Sequence, residues 1–188
     1  EGSVEGNSLS VGGKALQTSA LVIATGSLPR IPSIPGVQNP GVFHAHSLSS
    51  MLAVPDRLLI IGGGIMAAEF AFIFHEWGAD VDIAVRSTFL REVPRALREA
   101  AKKDLEGIAI HENCTVTRID GDPAVGSAIL QCREGEKEIP CDAVFLAAGL
   151  VPNSRMVSGI RKGDDGRIIV DRRMATSVPG VYACGDVT

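Results

Sequence analysis

Short apolar runs alternate with one strongly apolar helical stretch along this chain, and the runs are more informative than any single residue. Ala20-Leu-Val-Ile-Ala24, Arg57-Leu-Leu-Ile-Ile61, Val81-Asp-Ile-Ala-Val85 and Ala143-Val-Phe-Leu-Ala147 are compact and mostly unbroken by polar residues. That pattern suits parallel strands buried on both faces. Gly62-Gly-Gly64 follows the second run, and Ile65 to Trp77 reads as a helix closed by Gly78. The order strand, glycine turn, helix, strand is that of a βαβ unit. Pro94 to Glu106 predicts a second helix with Gly107 as its stop, and Ile108 to Ile110 a further strand.

The periodicity changes elsewhere. Val4 to Gln17 predicts a hairpin around Gly12-Gly13, and Cys114 to Glu138 an antiparallel meander punctuated by glycine and proline. Pro29, Pro32, Pro35 and Pro40 mark a linker, because each fixes φ and removes a backbone donor. Gly166 to Val170 and Val181 to Cys184 predict two last strands. The fold class expected is α/β, a Rossmann-like parallel sheet with an antiparallel β-meander crossover. Buried strands end in small residues at Ala24-Thr25-Gly26, Ala147-Ala148-Gly149 and Ala183-Cys184-Gly185, where a ligand can approach backbone.

Composition narrows the partners. Eighteen Lys and Arg against 22 Asp and Glu give a net charge of −4, which leaves no basic surplus for nucleic acid or anionic lipid. The longest apolar run, Leu58 to Phe74, carries three glycines and Glu69 and falls short of a bilayer span. The chain opens on Glu1, has no secretory leader pattern, and reads as part of a longer protein. Cys114, Cys132, Cys141 and Cys184 form no CxxC or CxxxxC pair, so reduced thiols in a cytoplasmic protein are expected. His44 and His46 lack further ligands for a metal, and no metal is expected. His75 and His111 have no visible catalytic partner, and Phe70, Phe72, Phe74 and Trp77 read as helix packing.

Gly62-Gly63-Gly64-Ile65-Met66-Ala67 satisfies GxGxxG/A between a strand and a helix. Gly62 permits the turn, Gly64 clears space for a pyrophosphate, and Ala67 lets the helix pack closely on the sheet. The pyrophosphate would meet free N–H groups at the positive end of that helix. A site preferring NAD usually ends its second strand with an acid, whereas this chain reads Val85-Arg86-Ser87. An adjacent guanidinium suits a 2′-phosphate, so NADP(H) is favoured over NAD(H), with Arg91 as a second cation if its loop folds back.

With Ile23-Ala-Thr-Gly-Ser27, Ile60 to Phe70, Ala148-Gly-Leu-Val-Pro-Asn153 and Gly180 to Asp186 in this order, the chain resembles the FAD-dependent pyridine nucleotide-disulfide oxidoreductases. That family includes dihydrolipoamide dehydrogenase and glutathione, mycothione and mercuric reductases. The resemblance implies a partial FAD-binding domain over residues 1–36, an NAD(P)-binding domain over 37–151, and a second partial FAD-binding domain over 152–188. It implies that Thr25, Gly26, Gly185 and Asp186 belong to the FAD site, Asp186 binding the ribityl chain, and that the buried runs Ala20 to Ala24 and Val181 to Ala183 of that domain pair in parallel. Gly63, Ile65 and Gly149 join the cofactor-binding set, and Glu69 would support catalysis near the flavin through a lysine partner. Arg86-Ser87-Thr88 resembles the NADP-preferring members, while dihydrolipoamide dehydrogenases usually carry Glu at the Val85 position. The CxxxxC redox pair and the catalytic His-Glu pair of the family are not in these residues. The function implied is hydride transfer between nicotinamide and flavin, with electrons passing to or from a small-molecule or protein-bound disulfide. The intact protein would be a homodimer and this portion alone a monomer without activity. An NADH oxidase, peroxidase or coenzyme A-disulfide reductase, or a non-catalytic dinucleotide-binding module, are the competing readings.

Overall fold

The computed structural model describes residues 2–188. They form two compact units, one spanning Pro29–Gly149 and the other joining the chain up to Leu28 with Leu150–Thr188. The first stretch of chain supplies β1 (Gly2–Glu5), β2 (Ser8–Val11), β3 (Lys14–Leu16), β4 (Leu21–Ile23) and β5 (Ser27–Pro29). The central stretch begins with β6 (Val42–His44), β7 (Arg57–Ile61), α1 (Ile65–Glu76), β8 (Asp80–Val85) and α2 (Arg95–Asp104). It continues with β9 (Ala109–Glu112), β10 (Thr115–Asp120), β11 (Ser127–Cys132), β12 (Gly135–Pro140) and β13 (Ala143–Leu146). The last stretch adds β14 (Leu150–Pro152), β15 (Val157–Ser158) and β16 (Val181–Ala183).

The central unit is built on a parallel sheet of order β6-β13-β7-β8-β9. The inner strands β13 and β7 are almost wholly apolar because both their faces are covered. Leu58, Ile60, Ile83 and Phe145 pack with Ala67, Ala71 and Phe74 of α1. The alternate residues Leu59, Ala84, Val144 and Leu146 pack under the antiparallel β10-β11-β12 meander. Ala67, Ala71 and Phe74 recur at helical spacing, so one stripe of α1 meets the sheet. Full burial of a side chain such as Phe74 stabilises by roughly 1.5–3 kcal/mol.

Several expectations need correction in this unit. Phe70 and Phe74 pack on Phe145, and Trp77, just past the end of α1, lies edge-on against Phe74, but Phe72 is 45% exposed, because its position on α1 turns away from the sheet. Cys114 and Cys132 are not free thiols; they are joined in a disulfide. The β10-β11 register, with Thr115 opposite Gln131, sets the two cysteines facing each other. Cys141 and Cys184 are free. The compact unit begins at Pro29, where Ile34 and Val37 pack into the meander core and Ile119 N–H donates to Pro35 O. His111 takes the structural role expected of it, its ring pairing with Asp82 of the neighbouring strand.

In the other unit β1, β2 and β3 form an antiparallel ribbon with β15 parallel to β1. The expected hairpin gains a third strand because a turn at Gly6, with φ of +57°, precedes the one at Gly12-Gly13. β4 and β16 pair in parallel, Leu21 opposite Val181 and Ile23 opposite Ala183, as the resemblance implies. The segment 166–170 is not a strand. Its backbone bonds diverge, Ile168 N–H to Val187 O and Ile169 N–H to Arg161 O, leaving one isolated bridge to Lys162. Ile168 is nonetheless buried in this unit's core with Val4, Ile23 and Val181. Among the described residues no helix is long and apolar enough to cross a membrane.

Candidate dinucleotide site

A cleft of about 700 Å³ opens at the carboxyl ends of β7, β8 and β13. From β7 the chain proceeds to β8 on one side, while β13 arrives on the other, so the cleft lies at the topological switch point of the sheet. Of the residues singled out above, Gly62, Gly63, Gly64, Ile65, Arg86, Ser87, Arg91 and Gly149 all line it.

The glycine turn is shaped by its neighbours. Gly62 has φ of +147°, and a Cβ there would lie 2.2 Å from Ala147 O. A Cβ on Gly63 would lie 2.3 Å from Val85 Cγ1. Gly64, the N-cap of α1, has nothing within 4 Å of its Cβ position, and no side chain caps the helix. The first amides of α1 therefore face open space, which a diphosphate fits. Ala67 does not line the cleft but is fully buried between helix and sheet.

Beyond β8, Arg86 and Ser87 are exposed and follow directly on Val85, the last residue of the strand. Arg86 forms no ion pair among the described residues. The loop folds back onto the glycine turn, with Leu90 N–H donating to Gly63 O at 2.7 Å. Phe89, fully buried, donates its N–H to Glu112 Oε1 at 3.0 Å, and Lys102 pairs with the same oxygen at 3.2 Å. Arg98 donates to the carbonyls of Arg91 and Val93. Arg91 thus reaches the cleft, where it pairs with Glu92 at 3.0 Å; both side chains are exposed, so the pair is weak. Glu112 and Arg98 were not legible beforehand, because their role depends on strand register and loop closure.

Glu69 lies exposed on α1, does not line the cleft, and has no ion-pair partner among the described residues. Thr25, Gly26, Gly185 and Asp186 belong to the other unit, beyond the ends of β4 and β16. There Ser27 Oγ donates to Asp186 Oδ2 at 2.9 Å, and Thr25 Oγ1 donates to Asn153 O at 2.6 Å. Asn153 Nδ2 returns a bond to Thr25 O at 3.1 Å. Asp186 and Ser27 border a smaller hollow of about 340 Å³. The rings of His44 and His46 are 6.3 Å apart, and no group of three potential metal ligands occurs among the described residues.

The family model described as pyridine nucleotide-disulphide oxidoreductase matches residues 1–188. The chain belongs to this family. A mercuric reductase of Staphylococcus aureus is 28% identical over 98% of the chain and 35% of its own length. That of Shigella flexneri is 35% identical over 89% of the chain and 31% of its own length. The chain therefore spans about a third of the family members it matches in sequence. The HOCl-induced flavoprotein disulfide reductase RclA from Escherichia coli, in its Cu(II) complex, superposes with a TM-score of 0.88 at 27% identity. All of this chain and 44% of that one are covered. The shared fold is that of the family's α/β dinucleotide-binding architecture.

Proposed function

We propose that these residues are the NADP(H)-binding portion of an FAD-dependent oxidoreductase acting between nicotinamide and a disulfide or dithiol. One observation carries the reading. The same cleft holds uncapped α1 amides, free space above Gly64, and Val85 in place of an acid at the end of β8, with Arg86 and Ser87 beside it. When bound, the nicotinamide and the flavin supply the hydride and electron chemistry, and a small-molecule or protein-bound disulfide exchanges the electron pair.

The chain's own residues bind and orient. The amides opening α1 hold the diphosphate, and Gly149 leaves the far wall open to it. Arg86 neutralises the 2′-phosphate while Ser87 donates a hydroxyl, and Arg91 exchanges its exposed Glu92 partner for the same phosphate. In the other unit, Gly26 and Gly185 have positive φ and open space at their Cβ positions, which suits close approach of a flavin nucleotide. Asp186 keeps its Oδ1 free to accept from the ribityl chain, because Ser27 occupies Oδ2. Thr25 fixes the strand end through Asn153. Sequence relatives named mercuric reductase and dihydrolipoyl dehydrogenase share this portion, which supports a role on the nucleotide side of the reaction. A cytoplasmic setting, where NADPH is available, and a homodimeric complete protein belong to the same reading.

Titration calorimetry of the complete protein with NADPH and NADH tests it. NADPH is expected to bind about tenfold tighter, roughly 1.4 kcal/mol. Arg86→Ala should bring the two within about twofold by weakening NADPH alone, as a charge-assisted contact to phosphate would require. Equal affinities in the unmodified protein would remove the NADP preference, and no binding of either would remove the site.

A further inference from the structure

The meander carries a group that nucleotide binding does not need, the disulfide between Cys114 and Cys132. It joins residues just before β10 and at the end of β11, across a separation of 18 residues. Cys114 is 5% exposed, whereas Cys132 is only partly buried and sits beside the exposed turn residues Arg133 and Glu134. Cys114 is therefore the enclosed member of the pair and Cys132 the more accessible one.

The inner cysteine is part of the nucleotide cleft. Cys114, Thr115 and Val116 form one stretch of its lining. Cys114 N–H donates to Val85 O at 2.9 Å and Asn113 N–H to Ser87 O at 3.0 Å, so the two carbonyls flanking Arg86 are held by the segment that the disulfide anchors.

We propose that Cys114 and Cys132 form a thiol–disulfide exchange site for small-molecule thiols and disulfides, and that its redox state sets the affinity of the adjoining nucleotide cleft. A thiolate attacks Cys132 Sγ, the S–S bond breaks, and the electron pair leaves on Cys114 Sγ, which takes a proton. That sulfur lies 3.5 Å from Glu112 O, an acceptor for the new S–H. A second thiol attacks the external sulfur of the mixed disulfide and releases Cys132. Two thiols and the protein disulfide thus become one external disulfide and two cysteine thiols, the protein gaining two electrons and two protons. Closed, the bond ties the wall beside Arg86 to β11; opened, it frees the start of β10. Thiols are the products of a disulfide reductase, so accumulating product opens the bond and weakens nucleotide binding, while excess disulfide closes it.

The coupling rests on the cleft being the nucleotide site. The test uses the complete protein equilibrated with reduced and oxidised glutathione at a series of ratios. Peptide mapping after alkylation reads the Cys114–Cys132 bond, and fluorescence titration reads NADPH affinity. The expected result is a three- to tenfold weaker affinity that follows reduction of this bond. Cys132→Ser and Cys132→Ala, at the more exposed position, should show the weaker affinity at every ratio. Affinity that ignores the ratio while NADPH still binds overturns the exchange site alone. A dependence that persists in both Cys132 variants assigns the effect to other cysteines and also overturns it, as does mapping that finds both thiols free throughout. Absence of NADPH binding in every state overturns the nucleotide reading with it.

Discussion

Three consecutive glycines at the head of α1 meet three different surroundings, and substitutions there separate folding from binding. At Gly62 a methyl group would lie 2.2 Å from a backbone oxygen in a conformation with φ of +147°, so Gly62→Ala is expected to cost about 2–3 kcal/mol or more. At Gly64 the same methyl meets nothing and φ is −93°. Gly64→Ala should therefore cost about 1 kcal/mol or less, yet weaken NADPH by at least about tenfold, because the methyl occupies the space assigned to the diphosphate. Urea unfolding and nucleotide titration of the two variants check both halves. Equal stability losses, or undisturbed binding in Gly64→Ala, would contradict the assignment. The sequence pattern identified all three glycines as a dinucleotide turn. It had no means of telling which glycine serves the backbone of Ala147, because that contact depends on β13 lying beside β7.

The elements differ in how plainly their packing is written. β7, β8 and β13 were legible because apolar residues in succession have no polar face to offer, which is what a sheet covered on both sides requires. α1 was legible as a helix but not in its orientation: Phe70, Phe72 and Phe74 alternate with other apolar residues, and only the sheet decides between them. Phe74→Ala should cost about 3–5 kcal/mol and Phe72→Ala about 0.5 kcal/mol or less, read from urea midpoints. The segment 166–170 looked like a strand because Ile168 is buried, but burial without a ladder leaves the same signature. Cys114 and Cys132 escaped notice because their meeting depends on a hairpin register that shifts between Val116 and Arg118. Two sheet elements are also tied electrostatically. Asp142, ahead of β13, accepts from Arg57 N–H at 3.0 Å and from its guanidinium at 2.7 Å, which holds the Asp142 carboxyl below its ordinary value of 3.8. A lowered carboxylate value contributes stability above the unfolded value and loses it as pH falls through the folded one. Asp142→Asn should therefore lower the urea midpoint at pH 7 and leave a smaller difference from the parent near pH 3. An undiminished difference at low pH would contradict that origin. Cys141, pushed up to about 12 chiefly by burial, should resist alkylation at pH 8 in the folded protein.

Across the whole molecule, residues far apart in sequence complete one unit: β4 near the start pairs with β16 near the end, and the parallel-sheet unit is inserted between them. The expectation of an insertion came from the resemblance to the family rather than from any one pattern of residues. Within the proline-marked linker, Ile34 and Val37 pack against the core of the meander. The nucleotide cleft lies wholly inside the inserted unit, so its assignment stands or falls there. A crystal structure of the complete protein with NADPH tests the central claim most directly. The account predicts the diphosphate against the amides of Ile65 and Met66 above Gly64, with the 2′-phosphate beside Arg86. A diphosphate held elsewhere, with the space above Gly64 filled by protein, would contradict it.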